Sequence, residues 1–102
     1  MIEEKLAEEL VGKCETVSDF WGSQMPMNAM EEMAELIQAI SKFERSFVDG
    51  KEPNLNIYQM RKGAIVIEIA DVWIATIALM HYYDIDLGII VEKMSEKLEK
   101  KY

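Results

Sequence analysis

Apolar residues recur along this chain at helical spacing, in four stretches separated by turn-forming residues. The first runs from about Ile2 to Trp21, where Ile2, Leu6, Leu10, Cys14, Val17 and Trp21 share one stripe. Glu3 and Glu4 suit the positive end of its dipole, and Gly22 and Pro26 punctuate its exit. The second runs from about Met27 to Val48. Met30, Met33, Ile37 and Ile40 form its apolar face, widened by Leu36, Phe43 and Phe47. Glu32, Glu35, Ala39 and Lys42 form the stripe beside it. Asp49-Gly50 stops this helix, and KEPNLN reads as a loop. The third starts near Asn56, an N-cap with Gln59 three residues on, and continues to about Tyr83. The fourth runs from the N-cap Asp86 to Lys101 along the line Leu87, Val91, Met94, Leu98. There is no hairpin signal, internal repeat or low-complexity tract. Short connections favour antiparallel neighbours, so the expected fold is an all-α, four-helix antiparallel bundle, one domain over residues 1–102.

Composition sharpens this picture. Half of the 102 residues are hydrophobic, enough for a core. A bundle this short has a limited interior, so part of that apolar surface is expected to be covered by another subunit. The net charge of −8 argues against a nucleic-acid polymer as partner, because binding one relies on Lys and Arg releasing counterions. A small nucleotide carried in with a divalent metal is compatible with it. Cys14 is the only cysteine, reads as a small core residue, and fits a reducing cytoplasm. The acidic, amphipathic N-terminus is unlike a signal peptide. The apolar run Ala64–Met80 is a little short for a membrane span, and an acid at mid-span costs about 2.5–3.5 kcal/mol on insertion scales. It reads as a buried helix of a soluble protein, with no membrane partner.

Within that apolar run stand Glu68 and Asp71, on a stripe with Ala64, Ala75 and Ala78. Ionised acids in a core are costly unless something positive meets them. Residues three apart share one side of a helix, so Glu68 and Asp71 project together, and so do Glu32 and Glu35. If the second and third helices are neighbours, these carboxylates face one another across a cleft. A hard divalent cation, Mg²⁺ or Mn²⁺, resolves their repulsion and commonly shares its shell with substrate phosphates. The alanines above and below the acids are expected to leave room for a ligand. The competing reading is structural: a solvated face for Glu32 and Glu35, Glu31 as a cap partner of Asn28, and a buried salt bridge from Glu68 and Asp71 to Arg45, Arg61 or Lys62. Lys42, on the Glu35 stripe, is a candidate phosphate contact. Trp21 could stack on a base and Gln24 could hydrogen-bond to one; Trp21 could equally be a core anchor. Trp73 reads as core or interface, His81 has no catalytic role, and the eight methionines fill core or interface gaps.

EExxE, here Glu31-Glu32-Met33-Ala34-Glu35, followed by ExxD, here Glu68-Ile69-Ala70-Asp71, resembles the signature of MazG-like nucleotide pyrophosphohydrolases, the all-α NTP pyrophosphatase superfamily. AMEEMAELIQAISKFER resembles that family's second helix, EIADVWI its third, and Trp21-Gly22 with Gln24 fits as well. The likeness covers roughly Phe20 to Leu98. It implies Mg²⁺-dependent hydrolysis of a nucleoside triphosphate between its α and β phosphates, giving monophosphate and pyrophosphate. By position, Glu32, Glu35, Glu68 and Asp71 match metal ligands, and Glu31 and Glu35 catalytic acids, with Glu31 orienting or deprotonating the attacking water. It also implies a homodimer or homotetramer. Two departures stand out. The segment between the motifs is somewhat long. The Asn and Arg often found on the family's last helix have no clear counterpart here; Lys97 and Lys101 stand roughly in their place, and Lys97 is the candidate phosphate contact there. A close variant would cleave another nucleotide-like anhydride, such as phosphoribosyl-ATP. A di-iron carboxylate bundle wants Glu-x-x-His pairs, which this chain lacks. A non-catalytic helical interaction module derived from the same fold predicts acids satisfied by basic side chains and no metal dependence.

Overall fold

The computed structural model describes residues 2–48 and 50–101, and the chain is all-helical. Helix α1 spans Ile2–Trp21, α2 Met25–Arg45, α3 Leu55–Tyr82 and α4 Leu87–Lys101, with a 3-10 turn at Gly22–Gln24. Asp49, part of the expected helix stop, lies outside the described residues, as does the side chain of Ile2.

Each boundary has a local cause. Gly22 ends α1 at φ 53, a left-handed conformation open to glycine without a Cβ penalty. Pro26 belongs to the first turn of α2 rather than preceding it, because a residue there needs no N–H for an intrahelical bond. Helix α2 ends at Arg45, before the expected Val48. Ser46 Oγ donates to the Phe43 carbonyl, and Val48 and Lys51 exchange backbone hydrogen bonds around Gly50 at φ 74. The N-cap of α3 is Asn54, not Asn56: its Oδ1 accepts from the Ile57 amide at 3.0 Å. Asp86 caps α4 as expected, its Oδ1 accepting from Gly88 N at 3.4 Å.

Helices α2 and α3 run antiparallel. At one end Phe43 and Phe47 meet Tyr58, with ring centroids 5.3 and 6.4 Å apart. At the other, Met25 and Ala29 pack on Ala75 and Ala78. Helix α1 lies antiparallel along α3. Val17 reaches the same cluster, and His81 on α3 faces Glu15 Oε2 at 3.0 Å and Asp19 Oδ1 at 3.3 Å. Ala78 is fully buried, and so is the Met25 side chain seated beside it. These alanines therefore let helices approach closely; the expectation that they leave ligand space fails at Ala78. Cys14 is buried, as its stripe predicts.

The expected apolar face of α2 points the wrong way for a monomeric core. Ala29, Glu32, Leu36 and Ala39 turn inward, while Met30, Met33, Ile37 and Ile40 are exposed, Ile37 by 67%. On α3, Val66, Ile69 and Trp73 are exposed as well, Trp73 by 69%. Nor does α4 close a bundle within the chain. It has no buried residue among those described, makes only marginal contact with other helices, and leaves Leu87, Val91, Met94 and Leu98 about half exposed. The accessible surface is 8261 Å², against roughly 5,900 Å² for a compact monomer of this mass. The radius of gyration is 16.9 Å, against roughly 13 Å for a compact domain of this length. Helix α3 is also, by length and composition, apolar enough to cross a bilayer, and little of that stretch is covered within the chain.

Candidate metal centre

Antiparallel packing puts Glu32 and Glu35 of α2 opposite Glu68 and Asp71 of α3. One carboxylate oxygen from each of Glu32, Glu68 and Asp71 lies within 4.8 Å of the others. Glu35 lies near enough for its charge to act on both Glu32 and Glu68.

The electrostatics follow from this crowding. Loss of solvent raises the Glu32 carboxyl above its ordinary range, and the charges of Glu35, Asp71 and Glu68 raise it further. Glu68 is raised in the same way, by desolvation first and then by Glu35 and Asp71. The ion pairs among the described residues are His81 with Glu15 and Asp19, and Lys93 with Glu96. None involves the four acids. Arg45 Nε instead donates to the Ser41 carbonyl at 3.3 Å, and Lys62 Nζ lies 5.8 Å from the Tyr58 ring centre. The salt bridge expected under the structural reading is thus not formed.

Among the described residues, the buried side-chain polar atoms without a hydrogen-bond partner are Glu32 Oε2, Glu68 Oε2 and Arg61 Nε. Buried polar groups are normally paired, so unmatched acceptors on facing helices fit a cation-binding role. The donor set is all oxygen, which suits Mg²⁺ or Mn²⁺ better than a soft metal. Glu31, one position from Glu32, is exposed and stands outside the close group of ligand atoms.

A cavity of about 150 Å³ opens beside the acids, lined by Val17, Trp21, Asn28, Glu32, Asp71, Ile74 and Ala75. The structure therefore brings Trp21 to the acids and adds Asn28. The cap expected at Asn28 is not formed: α2 starts at Met25, and Asn28 is already helical. Its spacing of four from Glu32 is the signal that places it on the acid stripe. Gln24 is exposed in the 3-10 turn and does not line this cavity. Lys97 is exposed on α4, and nothing within the chain brings it to the acids.

Two turns along the groove, Lys42, Arg45, Ser46 and Arg61 line a second cavity of about 370 Å³. A further cavity of about 420 Å³ lies away from the acids, between α1 and the start of α4. Its one imidazole, His81, already faces two carboxylates. The unpaired carboxylate oxygens converge instead between α2 and α3. No family model matches this chain, and neither a curated protein nor a solved structure does.

Proposed function

We propose that this protein is a divalent-metal-dependent nucleoside triphosphate pyrophosphohydrolase of the MazG-like type, which cleaves between the α and β phosphates. The observation that carries the reading is the set of unpaired carboxylate oxygens on facing helices, with no lysine or arginine among the described residues in an ion pair with them. Glu32, Glu68 and Asp71, with Glu35 between them, would hold Mg²⁺ or Mn²⁺. Bound there, the metal neutralises phosphate charge and polarises the scissile anhydride.

The chain's own residues do the rest. Glu31, exposed beside the cluster, orients the attacking water and takes its proton. The new bond is from water oxygen to the α phosphorus; the bond from that phosphorus to the bridging oxygen breaks, and pyrophosphate leaves with the electron pair. Such a transfer asks the protein mainly for positioning and charge stabilisation. Trp21 and Asn28 wall the cavity next to the acids, where a base stacks on the indole and meets the amide.

The same proposal includes a homodimer or homotetramer in the cytoplasm. The excess surface and the outward Met30–Ile40 face support it, and α4 becomes part of a bundle only with a second copy. The alternative of a non-catalytic interaction module predicts acids satisfied by basic side chains, and the absence of such pairs among the described residues weighs against it.

The test is pyrophosphate release from a panel of NTPs and dNTPs with Mg²⁺ and then with EDTA. The proposal expects release in Mg²⁺ only, and its loss in Glu35→Gln and Asp71→Asn with helicity retained. No release from any nucleotide would favour the interaction module. Orthophosphate release would mean a different bond is cut.

A further inference from the structure

We infer that Arg45 and Arg61, with Lys42, form a polyphosphate subsite at the far end of the same groove, which fixes the direction in which an extended anion lies. This deepens the proposed function and rests on it only for the identity of the ligand's other end.

Three cationic side chains meet around one cavity of about 370 Å³ in a chain whose acids outnumber its bases 19 to 11. In such a chain a basic residue is expected to find a carboxylate. Yet among the described residues none of the three is in an ion pair. Arg61 Nε is buried without a hydrogen-bond acceptor. Arg45 uses its Nε on the Ser41 carbonyl, which leaves its terminal nitrogens for another partner. A buried unmatched guanidinium nitrogen, with two further cationic side chains at the same cavity, calls for an anion, and guanidinium groups suit phosphate oxygens. Ser46 Oγ already donates to the Phe43 carbonyl, so the hydroxyl lines the site without supplying a donor.

The site is built, not incidental. Phe43, Phe47 and Tyr58 interlock at this end of α2 and α3 and hold the arginine-bearing turns together. Its position relative to the acids is symmetric. Lys42 stands seven residues after Glu35 on α2, and Arg61 seven before Glu68 on α3. Seven residues are two turns on one face, about 10 Å along the axis. Long Lys and Arg side chains close much of that gap. Trp21 and Asn28 lie on the opposite side of the acids. An elongated ligand would thus have its ring at one end, its reacting phosphate beside the acids in the middle and its terminal phosphates at the arginines. That polarity places the leaving pyrophosphate, not the nucleoside, at Arg45 and Arg61.

Calorimetric titration of the protein with inorganic tripolyphosphate in EDTA tests the subsite without metal or turnover. Binding is expected for the native chain, weakened at least tenfold in Arg45→Gln and in Arg61→Gln, and partly restored in Arg61→Lys. Lys62→Gln, whose ammonium sits over Tyr58, should bind as the native chain does. In turnover assays the two Gln variants should raise KM for a triphosphate at least tenfold, with inhibition by the monophosphate product unchanged. Arg45 is exposed, so Arg45→Gln reads the site even if Arg61→Gln fails to fold. No tripolyphosphate binding by the native chain, or equal binding by Arg45→Gln, overturns the inference. Arginine-dependent tripolyphosphate binding without nucleotide turnover would uphold the subsite and sink the pyrophosphohydrolase reading. Turnover with KM unmoved in Arg45→Gln would do the reverse.

Discussion

Replacing Glu32 by Gln should stabilise the metal-free protein at neutral pH while destroying its response to metal. Glu32 faces Glu68 and Asp71 with ligand atoms within 4.8 Å, and its carboxyl is raised by desolvation first and those charges second. A carboxyl raised in the folded state contributes full stability below its unfolded value, and that contribution is lost as pH rises through the folded value. At pH 7 the charge is therefore a burden, and at pH 4 it largely is not. The carboxylates are partly exposed, so the water-like end of the dielectric range applies. There, two charges at the outer limit of 4.8 Å repel by about 0.9 kcal/mol. Relief of the Glu32–Asp71 repulsion alone corresponds to about 3–7 °C in Tm for a domain of this size. Metal at a hundred times its Kd stabilises a binding protein by about 2.7 kcal/mol. The native chain should thus gain roughly 10–20 °C with Mn²⁺, and Glu32→Gln far less. Thermal melts followed by circular dichroism, in EDTA and in Mn²⁺, at pH 7 and pH 4, give all the comparisons. A lower Tm for Glu32→Gln in EDTA at pH 7 would refute the reasoning, because it would mean Glu32 makes a stabilising bond. A full Mn²⁺ shift in the variant would refute it equally.

Three further outcomes follow from the packing. Ala78→Leu overfills the contact beneath Met25 and Ala29 and should cost about 1–3 kcal/mol, read as a lower Tm. Trp21→Ala removes one wall of the cavity beside the acids and should raise KM for nucleotides severalfold, with tripolyphosphate affinity in EDTA unchanged. Met94→Asp charges the apolar line of α4, which is uncovered within the chain, and should shift the protein to a smaller species by light scattering.

The sequence was legible where a local rule decides the structure. Helix α1 and the Asp86 cap emerge as periodicity and capping chemistry predict. Boundaries moved where two local signals competed. Asn54 and Asn56 both suit an N-cap, and the bond to Ile57 selects Asn54. Pro26 reads as a stop but works as a first-turn residue. The spacing of Glu32, Glu35, Glu68 and Asp71 already implied a shared face, and antiparallel α2 and α3 bring the four together. Which face of α2 turns inward was not legible. Hydrophobicity favours Met30 and Ile37, yet the inner face is the small-residue stripe with Ala29 and Ala39, which lets the helices approach closely. The grouping of Arg45 and Arg61 was hidden because basic residues near acids read as salt-bridge partners; the antiparallel packing of α2 and α3 is what brings them, with Lys42, to one cavity.

Anomalous diffraction from a crystal soaked in Mn²⁺ tests the central claim most directly. The account predicts a manganese peak between α2 and α3, with oxygens of Glu32, Glu68 and Asp71 in its shell. An empty groove at saturating Mn²⁺, or those carboxylates turned onto arginine or lysine, would contradict it.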